Sequence, residues 1–214
     1  MSKTPVHIGL LISGRGSNLG AILKNQEAGA FSNARVAVVF SNNPGAPGLE
    51  IARQHGIPAL SANPADFADK KLYENHIVAL FRDHQVSLVA LAGYMKIVGK
   101  TLLSAFPNRI VNIHPSLLPA FPGLNAANQA IEHGVKISGC TVHLVDDGVD
   151  TGPIIAQRAV PVLPGDNEET LSARILEREH EVYSETLKRL TEAKWEVRGR
   201  HLFFLSDLPE KISG

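Results

Sequence analysis

The segment Val6-His7-Ile8-Gly9-Leu10-Leu11-Ile12-Ser13-Gly14-Arg15-Gly16-Ser17-Asn18 decides the fold class. Its first seven residues form an apolar run interrupted only by His7 and Gly9, as is typical of a strand buried on both faces. Two glycines then allow a tight turn, and a helical pattern follows at residues 18–28. The segment therefore predicts the opening strand, loop and helix of an α/β domain.

The glycine loop predicts a site for one phosphate group rather than for a dinucleotide. Backbone N–H groups at a helix start attract anions, and the Ser17 and Asn18 side chains add hydrogen-bond donors. Leu19 occupies the third glycine position of a dinucleotide fingerprint, and the second strand ends in Phe40-Ser41-Asn42 without an acid for a ribose. The alternative is a tight strand-to-helix turn that binds no ligand.

Similar short apolar runs alternate with helical patterns along the chain, which predicts parallel strands joined by helices. We expect one α/β domain over residues 1–214. Its sheet should be Rossmann-like, twisted, mostly parallel and flanked by helices, with a mixed C-terminal part and a long helix. The predicted strands are 6–12, 36–40, 58–61, 86–92, 109–113, 138–145, 154–162 and 202–205. The predicted helices are 18–28, 48–55, 66–84, 125–133 and 166–193, the last with Asp166 and Glu169 at capping-box spacing.

Composition and charge favour a soluble enzyme or binding protein. The chain has 214 residues, 44% of them hydrophobic, and its 21 basic and 21 acidic side chains cancel. A neutral chain has no overall basic field to hold nucleic acid or an anionic membrane. The single cysteine, Cys140, cannot form an internal disulfide, and no apolar run reaches the length of a membrane span. We therefore expect a cytoplasmic protein.

An amide and an imidazole form the first candidate catalytic group. Asn112 and His114 are two residues apart at the end of an apolar strand, so they share a face of the sheet. The amide can donate to a developing oxyanion, and the imidazole can move a proton. A carboxylate should orient the imidazole, and Asp146, Asp147 and Asp150 all lie in one later loop. Spacing alone leaves the choice among these three open.

Glu179 is the second unusual side chain. On the long helix it lies within an apolar arc formed by Leu171, Ile175, Val182 and Thr186. A carboxylate on a core-facing arc needs a partner. That partner is either a ligand or a basic side chain of the protein itself.

Motifs of several other enzyme classes are absent from the sequence. There is no Gly-x-Ser-x-Gly motif of a serine hydrolase. The nine histidines include no His-x-x-x-His pair, and one cysteine cannot build a zinc site, so we expect no metal.

Four segments together resemble the glycinamide ribonucleotide formyltransferases, which are folate-dependent enzymes of de novo purine biosynthesis. The resemblance runs from Val6 to about Leu190. The segment 14–19 resembles the phosphate loop of that family, and the segment 91–97 resembles its folate-binding segment. The motif at 112–119 resembles the central motif of formyltransferases, and the stretch from 139 to 153 resembles their signature.

The resemblance assigns roles to individual residues. It implies that Asn112, His114 and Asp150 are the catalytic residues, and thus selects Asp150 from the three acids. It implies folate contacts through two segments and one lysine: Lys70, Met95, Lys96, Ile97, Val98, Asn112, Val145 and Asp146. It also implies that the ribonucleotide substrate is held by Arg15, Gly16, Ser17, Asn18 and, at its ribose, Glu179. Residues 1–108 would then bind phosphate, and residues 109–214 would bind folate and carry the catalytic groups.

The reaction implied by the resemblance is direct transfer of the formyl group of 10-formyltetrahydrofolate to the amine of glycinamide ribonucleotide. The amine attacks the formyl carbon, and Asn112 and His114 donate to the oxyanion of the tetrahedral intermediate. Asp150 should favour the protonated form of His114. The alternatives are a hydrolase that resembles formyltetrahydrofolate deformylase and a non-catalytic module that binds sugar phosphates. We expect no metal, nucleic-acid or membrane partner, and a monomer or weak homodimer.

Overall fold

The computed structural model describes residues 5–208, whose centre is one sheet of nine strands. The strands are β1 (Val6–Ile12), β2 (Ala34–Ser41), β3 (Ala59–Ser61), β4 (Leu88–Leu91), β5 (Ile110–His114), β6 (Ile137–Leu144), β7 (Ile154–Pro161), β8 (Trp195–Arg198) and β9 (His201–Phe204). The helices are α1 (Ser17–Glu27), α2 (Gly48–Gln54), α3 (Lys70–Asp83), α4 (Lys100–Ala105), α5 (Ala126–Glu132) and α6 (Glu168–Glu192), with short 3₁₀ helices at Pro64–Asp66 and Leu205–Asp207.

The strand order is β3-β2-β1-β4-β5-β6-β7-β9-β8. The first five strands are parallel, and β6 runs antiparallel to both β5 and β7, so the predicted mostly parallel sheet with a mixed C-terminal part is confirmed. The chain moves from β1 to β2 on one side and returns to β4 on the other. A ligand-binding crevice is expected where the order reverses, beyond the carboxyl ends of β1 and β4. The loops meet there, since Ser13 donates its N–H to the Gly93 carbonyl at 3.1 Å.

Alternating side chains of β1 enter two separate cores. Leu10 and Ile12 pack in the core that includes residues of α1 and α6, and Leu11 packs in the core that includes residues of α3 and α4. All three side chains are fully buried. This explains the continuous apolar run of the sequence, because both faces of the strand are covered.

The start of α6 differs from the predicted capping box at Asp166 and Glu169, which was wrong by one residue. Asn167 is the cap: its side chain accepts from the Thr170 N–H at 2.9 Å, and the Thr170 hydroxyl accepts from the Asn167 N–H at 3.0 Å. Asp166 instead binds Arg174, with Oδ2 2.8 Å from Nη1. A carboxylate held by a guanidinium about two turns into the helix is not available as the cap.

Two elements were missed and one begins later than predicted. The short helix α4 and the strand β8, which pairs with β9 as a hairpin, were not predicted. Helix α3 begins at Lys70 rather than residue 66, because a 3₁₀ turn comes first and Asp69 caps the helix by accepting from the Leu72 N–H at 2.7 Å. Helix α4 has six residues, which is fewer than two helical turns, and strand β8 has four residues. Both are too short to show a periodic pattern in the sequence.

Candidate active site

Three side chains from two parts of the chain meet at the carboxyl end of β5. Asn112 and His114 project from one face of the strand, and Asp150 reaches them from the loop after β6. The His114 Nδ1 atom lies 3.2 Å from Asp150 Oδ2, and the Asn112 Nδ2 atom lies 3.5 Å from Asp150 Oδ1. Asp150 thus contacts both the amide and the imidazole, and such an arrangement can support proton transfer beside a hydrogen-bond donor.

Of the three loop acids, only Asp150 contacts His114. Asp146 accepts from the Gly148 N–H at 3.1 Å and from the Thr151 hydroxyl at 2.6 Å, so its carboxylate is used within the turn. Asp147 is exposed. Asp150 has φ of 55°, a left-handed conformation that few residue types other than glycine, asparagine and aspartate adopt readily.

Both ring nitrogens of His114 face acceptors. Its Nε2 atom lies 2.8 Å from the Phe121 carbonyl oxygen, and its Nδ1 atom faces Asp150. Burial lowers the pKa of His114, and the Phe121 carbonyl and the Asp150 charge offset this only in part. Asp150 thus acts in the direction we expected from the sequence, but burial outweighs it. A neutral imidazole that accepts a proton here finds two acceptors already placed to stabilise the charged form.

His143 joins this group, although it was not among the predicted site residues. It is 2% exposed and lies opposite Asn112 in the β5–β6 ladder. Its Nδ1–H donates to the Leu144 carbonyl at 2.8 Å, which leaves Nε2 to accept from Asn112 Nδ2 at 3.2 Å. His143 therefore orients the amide of Asn112. This role could be predicted only from the register that places His143 opposite Asn112, and that register depends on the antiparallel pairing of β6 with β5.

The carboxyl group of Asp150 is held as an anion. Burial acts to raise its pKa, but the nearby imidazoles of His143 and His114 and the hydrogen bond from the Gly123 N–H lower the pKa overall. The Gly123 N–H donates to Asp150 Oδ2 at 2.8 Å. The loop that contains Phe121 and Gly123 therefore closes over His114 and Asp150.

The predicted phosphate loop lies at the end of β1. Gly16 is the N-cap of α1 with φ of 76°, and having no side chain it leaves the first amides of the helix without a side-chain acceptor. Arg15 and Ser17 are exposed, and Asn18 is buried. Amides without a side-chain cap and the exposed Ser17 hydroxyl, at the start of an 11-residue helix, suit a single anionic group.

Glu179 is buried and contacts the phosphate loop. Its Oε2 atom accepts from Asn18 Nδ2 at 2.8 Å, a contact that spans 161 residues of sequence. Burial raises the pKa of Glu179 to about 7, and the Asn18 amide offsets this only in part. Within residues 5–208, no basic side chain forms the ion pair with Glu179 that the sequence left open. The Asn18 Oδ1 atom is buried and has no hydrogen-bond partner among the residues that the structure describes.

Replacing Glu179 by glutamine should remove a pH dependence of stability. Between pH 4.5 and about 7, Glu179 keeps its proton in the folded protein but releases it in the unfolded chain. The wild-type free energy of unfolding therefore falls as pH rises through this window. The fall due to this group is at most about 3 kcal/mol. In Glu179→Gln the free energy of unfolding should no longer fall across this pH window, and at pH 8 the variant should be no less stable than wild type. Urea unfolding at several pH values measures both.

The exposed Glu177, two residues away on the same helix, is the matched control. Glu177→Gln should leave the pH profile of stability unchanged. A profile in Glu179→Gln that parallels the wild type would contradict a raised pKa at this position.

The residues predicted to bind folate follow β4, next to the catalytic group. Leu91 pairs with Asn112 in the sheet, so the segment after β4 begins beside that residue. The segment contains Met95 and Ile97, each 66% exposed, and the exposed Lys96, whereas the Val98 side chain is buried in the core with α3 and α4. Val98 can therefore offer only its backbone.

The three other predicted folate contacts have different surroundings. The ammonium group of Lys70 lies 3.9 Å from a carboxylate oxygen of Glu74, and its side chain is 55% exposed. Val145 is partly buried against the core that includes residues of α3 and α4. Asp146 has the turn contacts described above.

Within residues 5–208, the protein lacks a metal-binding cluster and a membrane-spanning helix. No group of three or more histidine, cysteine, aspartate or glutamate side chains could hold a metal ion. None of the helices there combines the length and apolar character needed to cross a membrane.

Comparison with known proteins gives a consistent family assignment. The family model described as formyl transferase matches residues 6–187. The phosphoribosylglycinamide formyltransferase of Bacillus subtilis is 44% identical over 178 residues, which cover 83% of this chain and 91% of that protein. The trifunctional purine biosynthetic protein adenosine-3 of Drosophila melanogaster is 44% identical over 191 residues. The match covers 89% of this chain but only 14% of that much longer protein.

Solved structures of known proteins share this fold. The glycinamide ribonucleotide transformylase 1 from Symbiobacterium toebii has 50% identity and a TM-score of 0.91, with 94% of each chain covered. A formyltetrahydrofolate deformylase from Pseudomonas syringae has a TM-score of 0.87 at 28% identity, and the match covers 95% of this chain and 67% of that one. The fold is thus shared by both activities, while the sequence is nearer to the transformylase.

Proposed function

The chain belongs to the formyl transferase family, and on that basis we propose that it transfers the formyl group of 10-formyltetrahydrofolate to the amine of glycinamide ribonucleotide in purine biosynthesis. The observation that carries the proposal is the joint arrangement at the carboxyl edge of the sheet. The predicted phosphate loop, the buried Glu179 carboxylate beside it and the Asn112–His114–Asp150 group together suit a reaction in which a sugar phosphate is a reactant. The phosphate loop follows β1 and the catalytic group lies at β5, and only β4 separates these two strands. Neighbouring strands lie about 5 Å apart, so β1 and β5 are about 10 Å apart.

The chemistry requires a nucleophilic amine, a stabilised oxyanion and two proton movements. The amine nitrogen forms a bond to the formyl carbon, and the bond from that carbon to the folate nitrogen then breaks. Asn112 stabilises the oxyanion by donating from its amide, and His114 accepts the proton that the amine loses. The folate nitrogen gains a proton as it leaves, so the reaction is balanced without a metal or an oxidant.

His114 must give up one of its present contacts to act on the substrates, because both of its nitrogens face acceptors. The Phe121 carbonyl is the contact that can be released, since it belongs to a surface loop and Phe121 has φ of 54°. Asp150 stays in contact with Nδ1 and stabilises the positive charge that His114 acquires. We propose that substrate binding opens the loop around Phe121.

Exposed apolar side chains support a folate site after β4. Met95 and Ile97 together present a surface suited to a flat aromatic ring, and the nearby Lys70 and Lys96 suit the carboxylates of a folate tail. Val145 and Asp146 would border the same site from the loop after β6. We propose that formyl-folate is a cosubstrate released after each turnover and that no resident cofactor is required.

Turnover with and without the amine tests the proposal against its two alternatives. Purified protein with 10-formyltetrahydrofolate should consume the folate only when glycinamide ribonucleotide is present, and the formylated amine should appear in equal amount. Release of formate at the same rate without the amine would identify a deformylase. Binding of both ligands without any turnover would identify a non-catalytic module.

We also propose that the protein acts in the cytoplasm as a monomer or a weak homodimer. The buried, free Cys140 is compatible with a reducing compartment. Light scattering across a concentration series should give a mass near 23.0 kDa at low concentration. A stable assembly at nanomolar concentration would contradict this.

A further inference from the structure

Glu74 is a buried carboxylate that the proposed reaction does not use. It lies on α3 with 2% of its surface exposed. A carboxylate at this depth is costly unless it is hydrogen-bonded. Its Oε1 accepts from the Gly99 N–H at 2.6 Å, and its Oε2 lies 3.4 Å from the Leu102 N–H. The Lys70 ammonium lies 3.9 Å from Oε1.

The two backbone donors belong to the start of α4. Gly99 is the N-cap of that helix and has no side chain that could accept its first amides. Glu74 supplies the acceptor from another helix, 25 residues earlier in the chain. The end of the segment 94–99, which we call the folate segment, is therefore fixed by α3.

Gly99 provides the space for this contact. A Cβ atom at this position would lie 2.7 Å from Glu74 Oε1 and 2.8 Å from Lys70 Cε. The φ of Gly99 is −101°, which any residue adopts, so glycine is required for space and not for backbone conformation. Glycine at 99 and glutamate at 74 thus form one matched pair.

The rest of the folate segment is anchored in a similar way. The Ser13 hydroxyl accepts from the Met95 N–H at 2.8 Å, and the hydroxyls of Tyr73 and Tyr94 lie 3.2 Å apart. Between these anchors the backbone is irregular and carries the two exposed apolar side chains described above. Anchors of this kind reduce the ordering cost of binding a ligand.

We infer that Glu74 is a positioning residue that holds the folate segment in its binding conformation through the Gly99 and Leu102 amides. The identity of the ligand as a folate rests on the proposed function. The contact between Glu74 and the two amides does not depend on that function. Glu74 acts through the backbone and touches neither reacting group, so its loss should affect folate affinity and leave the chemical step intact.

Kinetics of four variants test the inference. Glu74→Ala should raise the KM for 10-formyltetrahydrofolate about tenfold or more, the effect of losing a hydrogen bond to a charged group. The kcat and the KM for glycinamide ribonucleotide should stay within about twofold. Glu74→Gln, which retains one acceptor oxygen, should be intermediate. Gly99→Ala should raise the folate KM alone. It should add little to Glu74→Ala, since the clashing carboxylate is then gone and the flexible end of the Lys70 side chain can shift.

Hydrogen exchange in the ligand-free protein separates this inference from the proposed function. Amides of residues 95–102 should exchange about tenfold faster in Glu74→Ala than in wild type. Asn167→Ala removes the cap of α6, so it should lower the melting temperature. It should not change the exchange of residues 95–102. Unchanged exchange in Glu74→Ala, or additive effects in the double variant, would overturn the inference. If wild type bound no formyl-folate, the proposed function would fail while the exchange data still decided the role of Glu74.

Discussion

Asp150→Asn should slow formyl transfer by roughly 10²–10⁴-fold, the range for loss of an acid–base partner. The carboxylate contacts His114, Asn112 and the Gly123 N–H, and an amide replaces one of its acceptor oxygens with a donor. The proton taken up by His114 would then have no anion beside it. Because asparagine tolerates φ near 55° as aspartate does, the loop should keep its shape. Steady-state kinetics measure the effect.

The pH profile distinguishes this role from a structural one. The Asp150 charge acts to raise the pKa of His114, so its removal should move the acidic limb of kcat/KM to lower pH in the residual activity. Asp147→Asn, in the exposed neighbour of the same loop, should leave the rate within about twofold. Near-normal turnover in Asp150→Asn would reject the assignment.

Gly16→Val should weaken binding of the ribonucleotide by roughly 100-fold or more, as expected for the loss of two hydrogen bonds to a charged phosphate. Gly16 has φ of 76°, which valine disfavours strongly, and a Cβ atom there would lie 2.8 Å from the Gly48 Cα atom. The side chain would therefore distort the turn and move the first amides of α1 away from the phosphate. Folate affinity should change little, because its proposed site follows β4. Titration with each ligand measures the difference.

Controls separate the phosphate site from general strain. A Cβ atom at Gly14 would meet no heavy atom within 4 Å, so Gly14→Ala should bind like wild type. Ser17→Ala removes one exposed hydroxyl and should weaken the ribonucleotide by severalfold without loss of stability. Equal losses of both ligands in a folded Gly16→Val protein, or tight binding of NAD by wild type, would argue against a single-phosphate site.

Most strands could be predicted because their information is local. The run at Val6–Ile12 was predicted with its observed bounds, since a strand covered on both faces must be apolar throughout. The prediction for α6 was also close, because 25 residues carry a strong helical period. The helix α4 was missed for the opposite reason: it has six residues, and its cap comes from Glu74, far away in sequence.

The sequence by itself determined the α/β order of strands and helices, the glycine loop, the shared face of Asn112 and His114, and the inward position of Glu179. All four depend on residue types or spacings within one element, and such patterns follow from local geometry. The tertiary structure decided that Asp150 and not Asp146 meets His114, that His143 orients Asn112, that Glu179 binds Asn18, and that Glu74 caps α4. These contacts join residues 25 to 161 positions apart. Such contacts depend on sheet order, strand register and helix packing, which no local pattern specifies.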